Sequence, residues 1–181
     1  QHHHELSEQE IGSVHFATSC TKASAAGLDR AVALLHSFQY EQARGAFASV
    51  SAADPQCAMA QWGVAMSHYH GLWENSDYDA GRKAMAQADS LAAGSKHISQ
   101  RERQFIGALD EIYKQDGGDA AAHNQAFEEK MAALHQANPK DVEAAIFHAL
   151  TLAITASKTD KTFANQRQCG DHDGEVGHHL A

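Results

Sequence analysis

The chain has little of what breaks helices and little of what carries positive charge. Two prolines stand among 181 residues, and 14 Lys and Arg face 23 Asp and Glu, a net charge of −9 with histidine neutral. No run of basic residues makes a phosphate-tracking stripe, which argues against nucleic acid or an anionic membrane as partner. No apolar stretch approaches the roughly 18 to 20 residues needed to span a bilayer. The motif inventory is as bare. There is no Gly-x-Ser-x-Gly elbow, no His-Glu-x-x-His, no glycine phosphate loop and no Cys-x-x-Cys-His haem site. Glu175-x-x-His178 has di-iron spacing but no second copy. These absences point away from an enzyme.

What is present is alanine, 35 times, and 43% hydrophobic residues overall, the composition of a helical protein with a core. Apolar residues recur at helical steps. Leu28, Ala31, Val32, Leu35 and Phe38 share one face, and Tyr40, Ala43, Phe47 and Val50 the next. After Asp54-Pro55 comes the cleanest stripe, Met59, Trp62, Met66, Tyr69 and Trp73, followed by weaker ones around Met85, Phe105, Phe127 and Val142. Breakers fall at Gly71, Gly94-Ser95, Gly117-Gly118 and Asn138-Pro139, and strand-like alternation is absent. An internal repeat orders these pieces. Ala43, Phe47, Val50, Pro55, Ala58, Ala60, Trp62, Ala65 and Met66 recur 84 residues later as Phe127, Met131, Leu134, Pro139, Val142, Ala144, Ile146, Ala149 and Leu150. Repeated helical hairpins stack into solenoids, because each unit buries its apolar face against the next. A third occurrence begins near Asp171 and stops at Ala181 after half a hairpin, an end that would seek a partner such as a second copy, head to tail in an open filament.

Tyr40-Glu41-x-Ala43-x-x-x-Phe47 with Pro55 is the second-helix pattern of tetratricopeptide repeats. Val14-His15-Phe16-Ala17-Thr18-Ser19-Cys20, Leu34-Leu35-His36-Ser37-Phe38, the run from Asp54 to Met66, and Asp160-Lys161-Thr162-x-Ala164-Asn165-Gln166 resemble, more narrowly, a group of exported bacterial tetratricopeptide-repeat proteins. The resemblance spans residues 12–181 and implies an all-α fold. Helical hairpins over 23–181 would stack in a right-handed solenoid behind an extended segment, 1–22. The stretch from Gln168 to Asp171 is about ten residues shorter than that pattern. In the resembled group, aromatic and histidine positions line the concave surface. His36, Trp62, Tyr69, Trp73 and His148 are therefore a candidate groove for a peptide or protein partner, with core packing as the competing assignment. His70, four residues before Glu74 and near Trp73, joins them.

The termini hold the other ligand-rich sequences. A free amine at Gln1 with His2 and His3, followed by His4, makes a nitrogen set suited to copper(II) or nickel(II). Cys169-x-x-His172, with Glu175, His178 and His179, suits copper(I) or zinc. Copper, with zinc as alternative, is thus the expected metal of a self-associating scaffold joined at its ends. Gln1 in place of Met fits a processed periplasmic or extracellular protein. In such a compartment Cys20 and Cys57 would pair, closing a loop of about 38 residues, although either could instead join Cys169 at a metal. Fourteen histidines make the charge sensitive to mild acid.

Overall fold

In a computed structural model the chain is described over residues 12–73 and 75–156. Among these, every regular element is helical: a 3-10 turn at Lys22–Ser24, then α1 (Ala25–His36), α2 (Tyr40–Ala53), α3 (Ala58–Met66), α4 (Tyr78–Gly94), α5 (Gln100–Tyr113), α6 (Ala120–Ala137) and α7 (Val142–Thr155). The breakers read from sequence fall in the connections, apart from Gly94, which is the last residue of α4. The terminal ligand set His2, His3, His4, Cys169, His172, Glu175, His178 and His179 lies outside the described residues, as does Glu74.

The chain divides into two compact units, residues 1–70 with 76–102 and residues 71–75 with 103–181. In unit 1, α1 to α4 pack each on the next, and connections of a few residues between the first three make neighbours antiparallel. Its core holds Leu28, Phe47, Met59, Trp62, Met66 and Met85, all under 3% exposed. In unit 2, α6 packs on α7, and Phe105 of α5 meets Phe147 edge-on at 5.7 Å. Glu111 of that unit is buried between Lys114 and Lys130. Burial raises its carboxyl pKa, but the two lysine hydrogen bonds outweigh burial and hold it below its ordinary value.

The 84-residue repeat is visible in the backbone. Helices α2 and α6 end 84 residues apart, α3 and α7 begin 84 apart, and the caps between them match. Asp54 and Asn138 stand at φ −132 with ψ 79 and 64, Cys57 and Asp141 at φ −77 and −86 with ψ 96 and 101. The same turn hydrogen bonds close both junctions: Asp54 N–H donates to Val50 and Cys57 N–H to Asp54, while Asn138 donates to Leu134 and Asp141 to Asn138.

The two copies differ in how their helices interlock. At Gly63 a Cβ would lie 2.2 Å from the ring of Phe47, which is fully buried and has no room to retreat. The second copy sets Met131 where the first has Phe47, and Phe147 where it has Gly63. Gly63→Ala is therefore expected to destabilise unit 1 by about 2 kcal/mol through overpacking. Urea unfolding followed by circular dichroism measures this, and an unchanged midpoint would show that α2 and α3 separate freely.

Helix α3 is shorter than its stripe. Ser67 ends it at Met66 by turning its hydroxyl back onto the Gly63 carbonyl at 2.7 Å. Tyr69 then enters the core from the turn that follows, and Trp73, further along, stays 53% exposed.

Candidate functional site

The N-terminal segment shows which candidate residues are structural. Residues 12–21 form no helix, and they are pinned to unit 1 throughout. Phe16 stacks on Trp62 at 5.6 Å, and the guanidinium of Arg101 sits 4.9 Å from the centre of the Phe16 ring. Phe16 N–H donates to Asp29 at 2.7 Å. Trp62, 1% exposed and covered by that ring, is a core residue. Tyr69 is buried likewise, and burial, with Tyr78 and Tyr40 beside it, raises its phenol pKa. For these two positions the core assignment, not the groove, describes the structure.

Cys20 and Cys57 are joined in a disulfide. Cys57 caps α3, so the bond ties the segment to the third helix. The buried carboxylate of Asp54 lies against the pair and accepts from Thr21 N–H at 2.9 Å and the Ser24 hydroxyl at 3.0 Å. Burial raises the Asp54 pKa, but these bonds and one from Gln56 N–H outweigh it and leave it below its ordinary value. Cys20, Asp54 and Cys57 bring three ligand-type atoms within 4.8 Å of one another, yet the two sulfurs are spent on each other.

The remaining candidates in unit 1 are His36 and His70, both half-buried. His70 has a developed setting. Its ring lies 4.2 Å from Tyr40, and Tyr40 lies 6.3 Å from Phe38. A ring nitrogen of His70 faces the Ser67 carbonyl at 3.2 Å, and the His70 backbone N–H donates to the Ser76 hydroxyl. Phe38, Tyr40, Glu41, Arg44 and His70 line a surface cleft of about 720 Å³. Burial pushes the Tyr40 phenol up to about 12, so it remains a hydrogen-bond donor at neutral pH. Burial, with Arg44 beside it, holds the nearby His68 below its ordinary value.

Phe38 itself stands out. It follows α1 in a Schellman turn, in which Gln39 N–H donates to Leu34 and Phe38 N–H to Leu35. That position takes φ 58, and Phe38 is the only non-glycine among the described residues with positive φ. Glycine normally fills such a site, since a β-carbon is strained there by about 1 kcal/mol or more. Here an aromatic side chain occupies it and remains 47% exposed. Sequence reading assigned Phe38 to the apolar stripe of α1, because no local pattern marks a left-handed phenylalanine. A second cleft, of about 730 Å³ between α1 and α2, is walled by Gly27, Gly45, Ala46 and Ser49 among others and has little chemistry apart from Arg30.

In unit 2, Trp73 is exposed and His148 is buried on α7. His148 Nε2 lies 3.2 Å from Glu128 Oε1, and its ring stands edge-on to that of His135 at 5.6 Å. The two histidines lie on different helices, His135 on α6 and His148 on α7. Their meeting, and the part of Glu128, appear only when α6 and α7 close as a hairpin. No helix among the described residues is long and apolar enough to cross a membrane. No family model matches the chain, and neither does any curated protein or solved structure.

Proposed function

We propose that the chain is an exported helical-repeat module of the tetratricopeptide kind, which binds an extended segment of a partner protein on the surface of Phe38, Tyr40, Arg44 and His70. The repeat reading draws support from the matched caps of α2–α3 and α6–α7. Export, to the periplasm or beyond the cell, draws support from the Cys20–Cys57 disulfide, a bond that persists in oxidising compartments.

The observation that carries the binding surface is Phe38. A left-handed backbone under an aromatic residue is strain, and half of its ring is left in water instead of in the core. Strain of that kind is retained where a function holds it. The rings of Phe38, Tyr40 and His70 form a ledge for an apolar or aromatic side chain, and Arg44 supplies a cation for a carboxylate or carbonyl of the same segment.

The test separates binding from folding. Phe38→Gly places the residue suited to a left-handed cap, and it is expected to leave stability unchanged or raise it by up to about 1 kcal/mol. Peptides selected on the wild-type chain by display should nevertheless lose at least tenfold in affinity for this variant. If Phe38→Gly unfolds more easily and binds as before, Phe38 is a packing residue and the surface is wrongly assigned.

A further inference from the structure

The cleft on α6 and α7 carries ligand chemistry that its counterpart in the first hairpin lacks. At the 84-residue shift, Glu128, His135 and His148 correspond to Arg44, Ser51 and Val64. The first hairpin makes the same helix–turn–helix junction with those residues, and there Ser51 merely accepts a hydrogen bond from Gln61. Histidine and glutamate are thus not needed to build the hairpin. His148 is also a poor choice at a position that holds valine in the first hairpin, because burying an imidazole sacrifices hydration. The side chains of His148 and Glu128 are nonetheless only 8% and 14% exposed.

We propose that Glu128, His135 and His148 bind a divalent transition-metal ion of the zinc type. Two of the three donors already stand at coordination spacing. The 3.2 Å between Glu128 Oε1 and His148 Nε2 matches the edge of roughly 3.3 Å that two bonds of about 2.0 Å subtend at a tetrahedral centre. The His135 ring stands edge-on to that of His148 with centroids 5.6 Å apart, short of coordination spacing as placed, and its side chain would rotate to complete the set. All three line a cleft of about 540 Å³ that also holds Glu129 and Gln136, so water and a fourth ligand reach the ion from that side. Mixed imidazole and carboxylate donors with one open position are those of exchangeable zinc sites. Both imidazoles must be neutral to bind, so affinity falls in acid. The inference rests on unit 2 alone and is independent of the Phe38 surface.

Zinc added to the full oxidised chain provides the test. With 14 histidines present, bulk stoichiometry decides nothing, so the readouts are the imidazole ring resonances of His135 and His148 and the melting temperature. Zinc should shift both sets of ring signals and raise the melting temperature of the wild type, as a ligand of the folded state does. His148→Val and His135→Ser install the residues of the first hairpin and are expected to fold. Each should weaken zinc binding at this site at least tenfold, and His148→Val should abolish the zinc-dependent rise in melting temperature. Glu128→Gln, which keeps the shape, serves if either variant fails to fold, and it should also lose tenfold. Ring signals of His135 and His148 that do not move with zinc, or an undiminished melting shift in the variants, would overturn the proposal.

Discussion

Replacing Cys20 and Cys57 together by alanine is expected to lower the free energy of unfolding by about 4 kcal/mol, the entropy that a bond closing a loop of this length removes from the unfolded chain. The two residues are 37 apart in sequence, and the bond is the covalent tie between the N-terminal segment and α3. The native packing around it does not depend on the bond for its geometry. Phe16 still stacks on Trp62, Thr21 and Ser24 still donate to Asp54, and Arg101 still holds the Ala17 carbonyl. The variant should therefore fold to the same structure with a lower denaturant midpoint and an equal or slightly larger slope. Urea titration with circular dichroism measures it, and wild type in excess reductant should behave as the variant does. A loss under 1 kcal/mol would show that the segment is pinned mainly by its non-covalent contacts.

Glu102→Ala should remove about 3 kcal/mol. The side chain is 1% exposed and takes four hydrogen bonds. One oxygen accepts from the backbone N–H and hydroxyl of Ser19 at 2.8 and 3.0 Å, the other from the backbone N–H and hydroxyl of Ser99 at 2.8 Å each. The Ser99 half is a capping box, completed by Glu102 N–H donating to the Ser99 hydroxyl at 3.2 Å. The Ser19 half fixes the N-terminal segment. Alanine removes four hydrogen bonds to a charged group, two of them from the backbone N–H groups of the exposed residues Ser19 and Ser99, together with the glutamate half of the capping box. A hydrogen bond to a charged group contributes about 1.5 to 3 kcal/mol, and water offsets part of the loss at these two amides. Hydrogen exchange should quicken at the amides of Ser19 and Ser99 before it does elsewhere. Glu102→Gln retains one acceptor oxygen and should lose about half as much. Equal midpoints for the alanine variant and wild type would contradict this role.

How much of this was legible in the sequence depends on the range over which each feature is encoded. Helix positions and the 84-residue repeat are written locally, in apolar spacing and in Asp54-Pro55 and Asn138-Pro139, and the structure has helices and caps there. The early end of α3 was not legible, since the stripe runs on through Tyr69 while a serine hydroxyl turns the backbone. Phe38 reads as one more apolar residue, because its meaning lies in a backbone angle. The stacking of Phe16 on Trp62 and the hold of Glu102 on Ser19 join residues 46 and 83 apart, which no periodicity reveals. His135 and His148 were visible as residues but not as neighbours, for the hairpin alone brings them together.

The most direct test of the central claim is the affinity of Phe38→Gly for peptides selected on the wild-type chain, measured beside its unfolding free energy. A partner-binding surface maintained at the expense of backbone strain predicts that stability holds or rises while affinity falls at least tenfold. Stability that falls while affinity holds would contradict it.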